Sequence, residues 1–198
     1  MPILNSPFIQ AVHEKYWPTL KYLDIPHRKL AIAFSAVPGA GKTLLSKEIA
    51  ERYQGVRINK DDVWDIAHPL EVSFPGEDYQ SLVPEYMNYL VQELANYPNG
   101  LLIIDRSLDR HYAKSKEQIE QIGYQLFLIR IDVPKDVLIQ RLKQRHGEAA
   151  SAYLERLDGW IQDFENAGTE IVPDFNYDLF DNDSKSKLFA ALDGLVTL

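Results

Sequence analysis

One stretch constrains this chain more than any other: Ala36-Val37-Pro38-Gly39-Ala40-Gly41-Lys42-Thr43. Leu30 to Ser35 ahead of it form a short apolar run of the length of a buried strand, and Leu44, Leu45, Ile49 and Ala50 behind it recur at helical spacing. Glycines between a strand and a helix are the setting that a phosphate-binding loop requires. Gly39 and Gly41 reach backbone angles closed to other residues, so the chain can curl and aim successive N–H groups inward. The positive end of the following helix dipole adds to that anion site. The pattern is a Walker A motif with Ala36 in place of the commoner first glycine. Its residues Pro38, Gly39, Ala40, Gly41, Lys42, Thr43 and Leu44 are expected to hold the phosphates of ATP. Within it, Lys42 reaches the β- and γ-phosphates and Thr43 offers a hydroxyl to Mg²⁺. The competing reading, a glycine turn with an incidental lysine, is disfavoured by the complete Gly-Lys-Thr ending in this context.

Further acidic and basic residues fall at the ends of later strands. Val56 to Asn59 reads as a second strand running into Lys60-Asp61-Asp62-Val63-Trp64. Ligands of open α/β sheets bind beyond the carboxyl ends of the strands. A carboxylate there can accept the proton of an attacking hydroxyl or help hold Mg²⁺. Asp61 is the favoured candidate, because one of two neighbouring acids usually points away. The alternative is that Asp61 or Asp62 caps the next helix. Leu101 to Ile104 run into Asp105, the Walker B arrangement in which the acid binds Mg²⁺ directly or through water. A strand-end turn is the competing reading. Arg106, Ser107, Asp109, Arg110 and His111 follow on the same rim, as contacts to an acceptor or as a solvated helix start.

Tyr124 to Val133 reads as a fourth strand, and Pro134 is placed to start the next helix. On that helix Arg141 and Arg145, four apart, share one face. Two guanidiniums there suit charge stabilisation on a transferring phosphoryl group, or form a solvated face. Beyond Gly147, a helix over Glu148 to Asn166 sits where a mobile lid would, with Gly168 closing it; Arg156 and Trp160 share one face, which makes Arg156 a further lid candidate. The expected lid spans about residues 141–168. His68 to Asp78 reads as a loop punctuated by proline and glycine. Leu82, Tyr86, Tyr89, Leu90 and Leu94 read as a helical stripe, Tyr177 to Phe180 as a fifth strand, and Ser184 as the cap of the last helix. At the start, Phe8, Ile9, Val12, Tyr16 and Trp17 suggest an amphipathic helix stopped by Pro18 and packed on the body. The chain thus divides into a helical extension, residues 1–28, and a core, residues 29–198.

Composition narrows the partners. Lys and Arg total 21 against 29 Asp and Glu, a net charge of −8, which disfavours nucleic acid as a general partner without excluding a local basic groove. The absence of cysteine excludes disulfides, thiolate metal sites and cysteine nucleophiles and fits a reducing compartment. No secretory signal and no apolar run of the ~18 residues that a membrane span needs are visible, so a cytoplasmic protein with no membrane partner is expected.

The order and spacing of Val37-Pro-Gly-Ala-Gly-Lys-Thr, Ile58-Asn-Lys-Asp-Asp and Ile103-Ile-Asp-Arg-Ser-Leu resemble the small P-loop kinases grouped around polynucleotide kinase, zeta toxin and chloramphenicol phosphotransferase. The resemblance covers about residues 30 to 190 and implies an α/β fold of three layers. That fold has a five-stranded parallel sheet, helices on both faces and an arginine-bearing helical lid. It implies transfer of the γ-phosphoryl of ATP, with Mg²⁺, to a hydroxyl. By position, Lys42 and Thr43 hold phosphate and Mg²⁺, Asp61 matches the general base, Asp105 the acid after strand three, and Arg141 or Arg145 the lid arginine. The polynucleotide kinase pattern carries an arginine three residues after the base, where this chain has Trp64. That departure and the net charge favour a small-molecule acceptor. A polynucleotide 5′-hydroxyl kinase and a regulatory ATPase that captures a protein partner through residues 1–28 are the alternatives.

Overall fold

The chain is described here by a computed structural model covering residues 3–196. Its apolar runs become five strands: β1 (His27–Ser35), β2 (Val56–Asn59), β3 (Asn99–Ser107), β4 (Gln125–Asp132) and β5 (Phe175–Asp178). All neighbours pair in parallel, in the order β2-β3-β1-β4-β5. Central parallel strands are covered on both faces, which is why β1, β3 and β4 read as continuous apolar runs rather than alternating ones. The alternation survives in what each residue touches. Leu30, Ile32, Phe34, Leu101 and Ile103 point into one core, and Ala31, Ala33, Leu102 and Ile104 into the other.

The first of these cores is closed by α2 (Lys42–Tyr53), α6 (Lys135–His146), α7 (Ala150–Glu170) and α8 (Ser184–Val196). The second is closed by α1 (Pro7–Tyr16), α3 (Lys60–Leu70), α4 (Tyr79–Leu94) and α5 (Tyr112–Gln121). The result is the three-layer α/β fold expected from the sequence, with the phosphate-loop motif following the central strand. In α1, Ser6 caps the first turn by accepting from the Ile9 N–H at 3.3 Å, and Phe8, Ile9, Val12 and Tyr16 are buried against α3 and α4. Among the described residues no helix is long and apolar enough to cross a membrane.

Several local expectations are corrected. The segment after His68 is not loop from its start: α3 runs through Pro69 to Leu70 and a 3₁₀ turn follows over Glu71–Ser73. Pro69 has no N–H to donate to the Asp65 carbonyl, and the helix ends one residue after it. The buried face of α4 is Val83, Tyr86, Met87, Leu90 and Leu94, with Leu82 and Tyr89 at its margin. Gly168 does not close α7 but lies inside it. A Cβ there would stand 2.7 Å from Arg130 Nη1, so this glycine makes room for the guanidinium that lies over the Phe164 ring. Strand β5 begins two residues earlier than the sequence suggests. Ser184 opens α8, but its Oγ accepts from the Asp178 N–H at 2.9 Å rather than capping the helix.

Candidate active site

The loop between β1 and α2 has the curl that its glycines permit. Gly39 and Gly41 take φ values of +87° and +105°, and the Ala40 N–H donates to the Val37 carbonyl at 3.2 Å. A side chain at either glycine would force a backbone region that L-residues rarely occupy. Helix α2 begins at once, with the Leu44 and Leu45 N–H groups both on the Gly41 carbonyl. Ala40 is buried beneath the loop. Lys42 folds back over it, donating from Nζ to the carbonyls of Val37 at 2.9 Å and Ala36 at 3.3 Å. Burial pulls the Lys42 pKa down to about 8, opposed by the carboxylates of Asp105, Asp109 and Asp61 and reinforced by Arg145. A half-desolvated ammonium resting on carbonyls is ready to be recruited by a polyphosphate.

Register sets the acid beside it. Asn59 of β2 lies opposite Asp105 of β3, and Asp105 is buried. Its Oδ2 accepts from Asn59 Nδ2 at 2.8 Å and from Arg57 Nη2 and Nε at 2.5 and 3.2 Å. Its Oδ1 accepts from Thr43 Oγ1 at 3.5 Å. One carboxylate oxygen is thus locked by protein donors while the other faces a hydroxyl. Two hard oxygen donors side by side suit Mg²⁺, which takes oxygen ligands. Arg57 and Asn59 were missed in the sequence. The available signal was the alternation of β2: Val56 and Ile58 enter the aromatic core, so Arg57 emerges on the face that Asp105 occupies.

The cap of α3 is also Asn59, whose Oδ1 accepts from the Asp61 N–H at 2.6 Å. Neither aspartate is therefore needed as the cap. Asp62 turns to Arg57 Nη1 at 2.9 Å, and Asp61 stays exposed, with its carboxylate in no hydrogen bond or ion pair among the described residues. Asp61 lines a cleft of about 890 Å³ together with Pro38, Gly39, Gly41, Lys42, Thr43 and Leu44 of the loop, Asp105 at the tip of β3, and Trp64. Helices α6 and α7 supply the far wall. Arg141 Nη1 donates to the Gly39 and Ala40 carbonyls, 3.3 Å each, and Arg145 and Trp160 also line the cleft. His146 stacks on Tyr153 with ring centroids 3.8 Å apart, tying the two helices together across Gly147. Arg156 is exposed and does not line the cleft. The residues singled out from the sequence as nucleotide, metal, base and arginine candidates thus converge on one cavity, Ala40 and Arg156 excepted. What the arrangement can do chemically is hold a polyanion on backbone N–H groups and cations, with an unpaired carboxylate opposite.

Comparison with known proteins fits this geometry. A family profile described as an AAA domain matches residues 32–171, and the chain belongs to that family. No curated protein sequence matches it. Among solved structures it is similar to a chain from the PezAT chromosomal toxin–antitoxin system of Streptococcus pneumoniae, with a TM-score of 0.60 and 16% identity over 86% of this chain and 75% of that one. It is also similar to a gluconokinase from Sinorhizobium meliloti 1021 (TM-score 0.54, 19% identity, 84% and 91% covered). A shikimate kinase from Bacteroides thetaiotaomicron gives a TM-score of 0.53 and 20% identity, with 83% and 98% covered. At these identities the likeness is one of fold.

Proposed function

We propose that this AAA-domain chain is an ATP-dependent phosphotransferase that moves the γ-phosphoryl group of ATP to a hydroxyl of a small-molecule acceptor. The observation that carries this reading is a single cleft in which Lys42 on the loop, the unpaired carboxylate of Asp61 and two arginines of α6 surround one space. Two of the structures that share the fold are named as kinases of small hydroxylated compounds, which supports the same class of reaction.

In this reading the loop N–H groups and Lys42 hold the β- and γ-phosphates. Asp61 orients the acceptor hydroxyl and takes its proton as that oxygen bonds to the γ-phosphorus. The bond from the γ-phosphorus to the bridging oxygen breaks, and ADP leaves with the electron pair. Arg141 and Arg145 offset charge on the phosphoryl group in transit. Positioning and electrostatics supply the catalysis, because this chemistry asks little else of a protein. Thr43 and Asp105 would hold Mg²⁺, which supplies charge neutralisation across the phosphate oxygens.

Two rival readings are less well supported. A polynucleotide acceptor meets an acidic chain and Trp64 where a basic contact is expected. A regulatory ATPase that captures partners through its extension would need the apolar face of α1, which is buried in the core. The test is a screen of a metabolite pool for ³²P transfer from labelled ATP, with Lys42→Ala as the blank. Asp61→Asn should abolish transfer, by about a thousandfold or more, and keep ATP binding, whereas Lys42→Ala loses both. Normal turnover in Asp61→Asn would remove it as the base.

A further inference from the structure

Beside the nucleotide cleft lies a second pocket, of about 300 Å³. It shares Ala36, Pro38, Lys60, Arg106, Ser107 and Trp160 with the larger cleft, so the two adjoin beside the loop. Its size suits a small metabolite and not a polymer. Two of its lining residues, Arg106 and Asp109, each carry a buried polar atom that the protein leaves unanswered. Arg106 Nε is buried with no hydrogen-bond partner, and among the described residues its guanidinium makes only one long contact, Nη2 to Ser115 Oγ at 3.4 Å. No carboxylate lies within ion-pair distance of it among the described residues. Asp109 Oδ1 is likewise buried without a partner, while its Oδ2 accepts from Ser107 Oγ and from the Ala36 N–H at 3.2 Å. Arg110 next in sequence is different, since its charge is met by Asp163 at 2.6 Å.

Both Arg106 and Asp109 are partly buried, and unsatisfied buried polar atoms in a native fold call for an explanation. Arg106 and Asp109 line one pocket yet do not pair with each other. We infer that this pocket binds the acceptor, and that the acceptor is a small hydroxylated anion. In this arrangement Arg106 meets an oxyanion head, a carboxylate or a phosphate, and Asp109 Oδ1 accepts from a hydroxyl. The inference rests on the phosphotransfer reading and adds the acceptor's chemical class to it. Burial also depresses the Arg106 pKa, the direction expected for a cation whose counter-ion is not part of the chain.

The experiment is ADP formation by the full chain with matched sets of acceptors: hydroxy acids of three to seven carbons, phosphorylated polyols of the same lengths, and the corresponding neutral polyols. At least one anion should exceed its neutral counterpart by about tenfold or more in kcat/KM, the worth of a charge-assisted hydrogen bond. Whether hydroxy acids or phosphorylated polyols stimulate tells which head is used. For that acceptor Arg106→Gln should raise KM about tenfold or more with a smaller effect on kcat. Should Arg106→Gln fail to fold, Arg106→Lys, which keeps the charge but loses the planar fork, should raise the same KM about threefold or more. Equal use of neutral polyols, no stimulation by any anion, or an unmoved KM in a folded variant overturns the assignment. The ³²P screen judges the parent reading separately. A labelled neutral product there, with the anions inert, removes the acceptor class alone, whereas label found only in free phosphate removes phosphotransfer itself.

Discussion

On one face of the sheet, α1, α3 and α4 cover the small residues Ala31 and Ala33 with a layer of rings. Phe8 meets Phe74 edge-on with centroids 5.9 Å apart, and Tyr16, Tyr86, Tyr89 and His13 form a continuous cluster. Most polar tips there find one another: His13 Nδ1 and the Tyr86 hydroxyl are 3.0 Å apart, and the Tyr16 hydroxyl accepts from the Asn59 N–H at 3.2 Å. On the other face, the strand tips beside α2 and α6 hold a desolvated lysine and a buried carboxylate balanced by one arginine. The contrast teaches a division of labour. The aromatic face contributes stability, and the other face spends part of it on holding charges where a polyanion can use them.

The largest expected effect tests the aromatic face. Phe8 is fully buried, and Phe8→Ala should cost about 3–5 kcal/mol in denaturant unfolding while leaving ATP binding by the folded fraction unchanged. A loss below about 1 kcal/mol would mean that α1 is an appendage and that the comparison is false. Next comes the balanced pair. Arg57→Leu leaves the Asp105 carboxylate, with a side chain 1% exposed, without its cation, and should cost about 3 kcal/mol near neutral pH. A double-mutant cycle with Asp105→Asn should show strong coupling; additive losses would mean that the pair does not act as one unit.

A gain of stability is expected at the loop. The Lys42 pKa is about 8 in the folded state against an ordinary 10.5, so below pH 8 the amine is charged in both states and its burial penalty is fully present. Between pH 8 and 10.5 the unfolded chain holds more protons than the folded one, and the stability of the parent protein rises. Lys42→Met should therefore stabilise the protein by about 2 kcal/mol at neutral pH, discounted because the side chain keeps some solvent contact, and the gain should fade as pH approaches 10.5. Urea titrations at both ends of that window check it. A destabilised variant at neutral pH would show that the hydrogen bonds to Ala36 and Val37 outweigh the desolvation.

The two faces also differ in how far the sequence discloses them. The loop is a local pattern: glycine spacing, a preceding apolar run and a following lysine suffice, so Lys42, Thr43 and the strand-end acids Asp61 and Asp105 are legible from neighbours in the chain. Arg57 is not, because its role exists only once β2 lies beside β3 with Asn59 opposite Asp105. The stripe of α4 differs from its sequence reading at two places, Val83 rather than Leu82 and Met87 rather than Tyr89, because apolar and aromatic residues stand on both sides of the stripe and only the position of α1 decides between them. Gly168 misled for the same reason. Its signal of helix termination is local, while its use, making room for Arg130, is tertiary.

The smallest expected effect bears on the wall formed by α6 and α7. Arg156 shares a helix face with Trp160, yet Trp160 lines the cleft and Arg156, one turn back, is exposed. In this arrangement the arginines that reach the loop are Arg141, already on the Gly39 and Ala40 carbonyls, and Arg145. Arg156→Ala should then change unfolding free energy by less than about 0.5 kcal/mol and kcat by less than about twofold. A loss of more than about tenfold would place α7 closer to the phosphates during turnover than it stands here. The charged face would then differ from the aromatic one in a second respect, as the side of the sheet that moves. Measuring kcat for Arg141→Ala, Arg145→Ala and Arg156→Ala side by side separates a fixed wall from a closing one, because only closure brings the third arginine into play.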